Sequence, residues 1–300
     1  MLIKEEWPLM LFTMLSQFAI GTFSLLIVVS SFITTDSMDV VSTVVRPGIY
    51  ASVLVMALAL VCSFFHLGTP YVAYMSIANA KSSWLSREII TGGAFLAFAA
   101  AYAYTCYSGS STILLGWLAV IIGLTNIYCM ANIYRATIFP AWTSVNTFIS
   151  FYCTTFALGT LSVAVSIALS TQGAPPPEVA AAILRRLLYL TGLSLFIPLL
   201  YLPVFLRNLY SGNAASIASA RLLGNYSLPL VIRWMLSFAG FGLLLSAVLH
   251  QAVSAQALST GLIYAAAGLI LAGEFLDRYI FYAVAVPIGI AEMIGCDPER

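Results

Sequence analysis

The chain has 300 residues, 61% of them hydrophobic and 8% charged, with a formal net charge of +1. Soluble domains carry roughly 25% charged residues, so this sequence cannot clothe a water-facing surface and is expected to form an integral membrane protein. The near-neutral balance gives nucleic acid no basic patch to bind, which leaves membrane lipid as the surrounding medium.

A spanning helix needs about 20 mainly apolar residues. Eight stretches qualify, at 9–33, 48–66, 89–107, 112–134, 144–170, 184–206, 229–250 and 257–284. The expectation is an all-α integral membrane protein, a bundle of eight transmembrane helices forming one domain over residues 1–300. The runs are continuous rather than alternating, which excludes a β-barrel. Met1 to Glu6 mixes acid and base ahead of an apolar run too long for a signal peptide, so no cleaved leader is expected. The Ser/Gly stretch from Tyr107 to Ser111 separates the third and fourth spans. The Pro-rich stretch from Gln172 to Glu178 separates the fifth and sixth and is expected to be non-helical. Pro198 and Pro203 are points at which the sixth span can break. Cys62, Cys106, Cys129, Cys153 and Cys296 are scattered without a C-x-x-C pair, so none reads as a zinc, iron–sulfur or disulfide position, and the first four, in or near apolar spans, read as packing residues.

An even number of spans puts both termini on one side, here called side A. Lys4, Lys81, Arg87, Arg135, Arg207, Arg221, Arg233, Arg278 and Arg300 fall on side A, and Arg46, Arg185 and Arg186 on the opposite side. By the positive-inside rule side A is cytoplasmic. Side A also collects the reactive side chains: His66 ending the second span, Glu88 opening the third, Tyr134 and Arg135 ending the fourth, Trp142 in the following loop, Arg233 opening the seventh, and Glu274 and Arg278 near the end of the eighth.

Each has two readings. His66, in Phe65-His66-Leu67-Gly68-Thr69-Pro70, either caps the last carbonyls of its helix or serves a lipid-soluble ligand as a proton acceptor. His250 lies at the opposite end of the seventh span, about 30 Å away. The two histidines therefore cannot share a haem, and no haem is expected. Glu88 is either an N-terminal carboxylate favoured by the helix dipole with Ser86 as cap, or a carboxylate poised at a quinol pocket. Oxidation of a quinol releases two protons with two electrons, which suits an imidazole and a carboxylate. Glu274 and Arg278 stand four apart in the favourable order for a structural ion pair, with Tyr282 on the same face. Gly92-Gly93 permits close approach of a neighbouring helix or a flat ring.

Five motifs in register resemble a known family: Glu6-Trp7-Pro8-Leu9-Met10, Phe65-His66-Leu67-Gly68-Thr69-Pro70, Ser86-Arg87-Glu88-Ile89, Pro140-Ala141-Trp142-Thr143-Ser144, and Gly273 through Tyr282. Together they resemble the DMSO reductase membrane anchor subunit (DmsC) family over nearly the whole chain. The resemblance implies a subunit that oxidises menaquinol during anaerobic respiration and delivers electrons to a partner with iron–sulfur clusters. A second partner would be a catalytic subunit that holds molybdenum–bisMGD. It implies that this chain holds no haem or iron–sulfur cluster of its own and does not itself turn over the terminal substrate. It implies His66 and Glu88 as the catalytic pair at the quinol site, with Tyr134, Arg135, Trp142 and Arg233 as further quinol-binding candidates. Family members can carry an arginine two residues before the tyrosine at position 134, where this chain has Asn132; the part of a basic group there falls either to Arg135 or to no residue at all.

The resemblance places side A, both termini and the partner subunits outside the cytoplasm, at the cell membrane, against the positive-inside count. The family placement is preferred, with some side-A arginines contacting the partner. Three other readings compete: a purely structural anchor without a working quinol site, a quinone-reducing anchor with reversed electron flow, and a secondary transporter. Transport fits least, because the polar residues gather at one face rather than at mid-membrane.

Overall fold

A computed structural model describes residues 3–32, 40–64, 79–110, 112–171, 175–254 and 258–286. The described residues form α1 (Ile3–Phe32), α2 (Arg46–Phe64), α3 (Trp84–Ser108), α4 (Ile113–Arg135), α5 (Asn146–Thr171), α6 (Glu178–Tyr210), α7 (Ala214–Asn225), α8 (Ser227–Ser254) and α9 (Thr260–Ala283). A π-helical turn, Val41–Val45, leads into α2. Eight of the helices are long and apolar enough to cross a membrane, as the sequence leads one to expect. The exception is α7, whose 12 residues are too short to span. Asn213 caps it, accepting hydrogen bonds from the backbone N–H and the hydroxyl of Ser216 at 2.9 Å each.

Helix ends follow local chemistry. Ser83 caps α3 by accepting from the backbone N–H of Ser86, so α3 starts a turn earlier than the apolar run. It ends at Gly109, whose φ of 77° lies in the left-handed region that glycine enters freely. Pro198 and Pro203 do not break α6, which runs unbroken through both to Tyr210. Neighbouring helices and side chains satisfy the carbonyls that a proline leaves free in lipid.

The bundle is built around α1, with 78% of its most apolar window buried against 22% for α8. It touches α2, α4, α5 and α9. In lipid, helices associate through close packing and interhelical hydrogen bonds rather than through water exclusion. Two crossings show this. Gly21 of α1 and Gly159 of α5 meet backbone to backbone, a Cβ on Gly159 falling 2.5 Å from the carbonyl carbon of Gly21. On α8 and α9, a Cβ on Gly240 would lie 2.9 Å from the Ala266 carbonyl oxygen, and one on Gly273 3.1 Å from the Arg233 carbonyl oxygen. The second crossing brings the start of α8 against the end of α9 and so positions the charged side chains described next.

Candidate functional site

Near its C-terminal end α9 carries three buried or half-buried charges, Glu274, Asp277 and Arg278. Charges persist at this depth only when paired or hydrogen-bonded, and each carboxylate finds partners on other helices. Arg233 of α8 places Nη2 3.8 Å from Glu274 Oε1 and Nε 3.3 Å from Asp277 Oδ1. From α5, Thr154 donates to Glu274 at 2.5 Å and Ser150 donates to Asp277 at 3.0 Å. The pairing expected from sequence, Glu274 with Arg278, is not made at contact distance. Arg278 is wholly buried and turns to α1, where Nη2 donates to Gln17 Oε1 at 3.0 Å. Gln17 in turn donates to the Phe151 carbonyl at 3.0 Å. The remaining face of the guanidinium lies over the Phe151 ring at 4.1 Å, and its Nε and Nη1 have no hydrogen-bond partner among the described residues. The local i to i+4 geometry lost to the α8–α9 approach at Gly273, which sets Arg233 directly across from Glu274.

An aromatic tier adjoins these charges. The Tyr134 and Tyr282 hydroxyls share a hydrogen bond of 2.5 Å. Trp142 donates from Nε1 to the Phe281 carbonyl at 2.8 Å and stacks on the Phe281 ring at 5.3 Å. Tyr134 stands edge-on to Trp142 at 5.2 Å. A cavity of about 60 Å³ lies beside this tier, with Trp142, Ser150, Arg233, Trp234, Asp277 and Phe281 in its wall. That is space for a few water molecules.

Glu88 lies apart, on α3. Because α3 begins at Trp84, Glu88 sits in its second turn, beyond the reach of the helix-dipole effect, and Ser83 rather than Ser86 is the cap. It is 6% exposed. The neighbouring Arg87 does not neutralise it: its guanidinium donates to the Ala80 and Lys81 carbonyls at 2.8 and 2.7 Å and covers the Trp84 ring at 4.2 Å. Among the described residues no cation stands within ion-pair distance of the Glu88 carboxylate, and no side chain donates a hydrogen bond to it. Behind Glu88, Asn126 of α4 is fully buried and donates to the Glu88 backbone carbonyl at 2.8 Å and to Thr91 at 3.0 Å.

The residues picked from sequence thus separate. Arg233, Glu274 and Arg278 belong to one charged set; Tyr134 and Trp142 form the aromatic tier against it; Glu88 stands apart on α3. Arg135 does not replace the missing family arginine inside the bundle. Its Nε reaches the Thr143 carbonyl at 3.5 Å and its guanidinium covers the Phe148 ring at 4.8 Å. Asn132 bonds within its own helix, to the Tyr128 carbonyl at 2.9 Å. His66 and the rest of its motif lie outside the described residues. Sequence reasoning missed Gln17, Asn126, Ser150 and Thr154. Gln17 and Asn126 carry a usable signal, being amides within otherwise apolar spans; Ser150 and Thr154 look like ordinary helix residues.

Comparison with known proteins agrees with this architecture. The family model described as DMSO reductase anchor subunit (DmsC) matches residues 3–284. A component of the anaerobic dimethyl sulfoxide reductase of Haemophilus influenzae is 28% identical, over 95% of this sequence and 96% of its own. The anaerobic dimethyl sulfoxide reductase component YnfH of Escherichia coli is 29% identical over 96% and 97%. One of the sulfite dehydrogenase subunits of Allochromatium vinosum is 34% identical over 31% of this sequence and 33% of its own. A model covering nearly every described residue, and two relatives matched end to end, leave one conclusion: this chain belongs to the DMSO reductase anchor subunit (DmsC) family.

Proposed function

We propose that this membrane anchor binds and oxidises menaquinol and passes the two electrons to an iron–sulfur subunit docked on side A. That subunit would supply a catalytic partner holding molybdenum–bisMGD, which reduces the terminal acceptor. The observation that carries the reading is Glu88: a carboxylate 6% exposed in a membrane-spanning helix, with no counter-cation among the described residues. Such a group needs a functional reason to stay. A quinol provides one, because each hydroxyl it loses to oxidation yields a proton that a carboxylate is suited to accept. Glu88 takes one proton and His66 is assigned the other. Tyr134, Trp142 and Arg233 hold the adjoining bundle together through their observed contacts and so fix the wall behind the site.

The test uses the assembled complex in membranes, with menadiol as quinol donor. Rates are normalised to turnover driven by reduced benzyl viologen, which feeds the partner subunits directly. Glu88→Gln and His66→Ala are each expected to lower the normalised quinol-driven rate by about tenfold or more, on the scale of one acid–base group. Unchanged normalised rates in both would leave only a structural anchor. We place side A and the partners outside the cytoplasm; a C-terminal reporter active in the cytoplasm would reverse that placement. Reversed electron flow, from a partner to quinone, is the second reading. It is favoured by the partial likeness to a component of a sulfite dehydrogenase, and the complex would then reduce menadione at the expense of its partner's substrate.

A further inference from the structure

We infer that Asn126 is the residue that recognises the reduced carrier, its side-chain oxygen accepting the hydrogen bond of a quinol hydroxyl; this rests on the reading of Glu88 just given. Asn126 is fully buried, and its amide is held from one end only. Nδ2 donates to the Glu88 backbone carbonyl at 2.8 Å and to Thr91 Oγ1 at 3.0 Å. A backbone carbonyl can only accept, so the nitrogen must face α3 and the orientation of the amide is fixed by its partners. Thr91 commits its own hydrogen to the Arg87 carbonyl at 2.7 Å, which leaves its oxygen to accept from Asn126. The other end of the amide, Oδ1, is buried without a hydrogen-bond partner among the described residues.

Tying α3 to α4 uses only the nitrogen. A buried acceptor left without a donor is costly and calls for an explanation. Gly92 lies one turn along from Glu88, and its missing side chain is what admits the Asn126 amide, since a Cβ there would lie 3.3 Å from Nδ2. The other nearby atoms are the ends of the Met56 and Leu60 side chains, 3.4 and 3.6 Å from that same point. Methionine is unbranched and adaptable, so the packing around this amide can adjust.

The chemistry then separates the two redox forms. A hydroquinone presents O–H donors, whereas the oxidised quinone presents only carbonyl acceptors. Asn126 Oδ1 can only accept. It therefore pairs with the quinol and opposes the quinone oxygen, acceptor against acceptor. In the oxidation both O–H bonds of the quinol break. One proton passes to the Glu88 carboxylate and the other to the second base assigned under the proposed function. The two electrons go to the iron–sulfur group of the docked subunit. Asn126 takes neither proton nor electron. Because the same amide is bonded to the Glu88 backbone, acceptor and base keep a fixed register.

The test measures, in the assembled complex, KM for menadiol and the inhibition constant of menadione as product, with rates again normalised to viologen-driven turnover. Asn126→Leu, similar in volume and without polar atoms, is expected to raise KM for menadiol about tenfold, the scale of one hydrogen bond to a buried group. The ratio of the menadione inhibition constant to that KM should fall by about the same factor. Asn126→Asp keeps an acceptor at this point and should hold the ratio within about threefold of the unsubstituted complex. If Asn126→Leu does not assemble, Asn126→Ser takes its place. Its short hydroxyl cannot reach the ring, so it must show the same loss of discrimination. A ratio unchanged in the Leu or Ser variant, or KM and inhibition constant rising together, overturns the inference. Glu88→Gln measured in parallel separates the two levels. If it keeps quinol-driven turnover the quinol site itself is wrong; if it loses turnover while the ratio survives at position 126, only the role of Asn126 is wrong.

Discussion

Replacing Gly159 by alanine adds one methyl group and is expected to loosen the bundle at its centre. The new Cβ would lie 2.5 Å from the Gly21 carbonyl carbon and 3.0 Å from its Cα. Carbon atoms rest at about 3.5–4.0 Å, so α1 and α5 must part by about 1 Å. Backbone lies on both sides of the contact and no rotamer can yield. Gln17 stands one turn from Gly21 and bridges the same crossing, bonding Phe151 of α5 on one side and Arg278 on the other, each at 3.0 Å. Overpacking costs about 1–3 kcal/mol, and losing one neutral and one charged hydrogen bond adds about 1 and 1.5–3 kcal/mol, so the total is about 4 kcal/mol or more. The assay is thermal melting of the purified complex in detergent, read by the loss of its gel-filtration peak. Gly93→Ala is the internal control: nothing lies within 4 Å of its Cβ position, and the helix gains about 0.5–1 kcal/mol from the lost glycine freedom. A Gly159→Ala complex that melts like the original, or moves in the same direction as Gly93→Ala, would refute the backbone contact between α1 and α5.

Arg233→Met removes the cation facing both Glu274 and Asp277, and breaking such a pair costs about 3–5 kcal/mol. The membrane content of assembled complex should fall sharply and recover largely when Glu274→Gln is added, which leaves Asp277 to balance Arg278; a combined variant worse than Arg233→Met alone would contradict the pairing. Tyr282→Phe leaves the Tyr134 hydroxyl without its 2.5 Å partner, a loss of about 1–3 kcal/mol. Tyr134→Phe with Tyr282→Phe should restore most of it, as read by the same melting assay.

The spans were legible because a membrane helix is a composition as much as a structure: a continuous apolar run of sufficient length has no other stable form in lipid. Their ends were less so. The helix α6 begins at Glu178 and ends at Tyr210, well outside the apolar run, because Glu178 to Ile183 and Arg207 to Tyr210 continue the helix beyond it. The short α7 gave no sign, since Ala214 to Asn225 is too short and too weakly apolar to register as a span. Glu274 and Arg278 stand out in the sequence as charges within an apolar span. Their partners were not legible, because a local i to i+4 match is visible in sequence while the approach of α8 at Gly273 is not. The isolation of Glu88 was also hidden, because it depends on Arg87 turning outward to the Ala80 and Lys81 carbonyls.

The charges inside the bundle sort into two kinds, and the sorting explains why Glu88 is the sharper test of function. On the α8–α9 side two arginines, Arg233 and Arg278, stand against two carboxylates, Glu274 and Asp277, and the set is neutral. Arg278 has only the neutral Gln17 amide and aromatic rings, Phe151 nearest, as direct partners among the described residues, so its charge is offset through the set and not by one contact. Removing any one of the four unbalances the other three in a medium that screens poorly. Such variants report on folding first and on chemistry second. Glu88 belongs to no such set. Neutralising it with glutamine strands no counter-ion among the described residues, and the Asn126 bond to its backbone carbonyl is untouched by the change of side chain. The bundle should therefore tolerate Glu88→Gln, and a loss of quinol-driven turnover in that variant would fall on the chemistry.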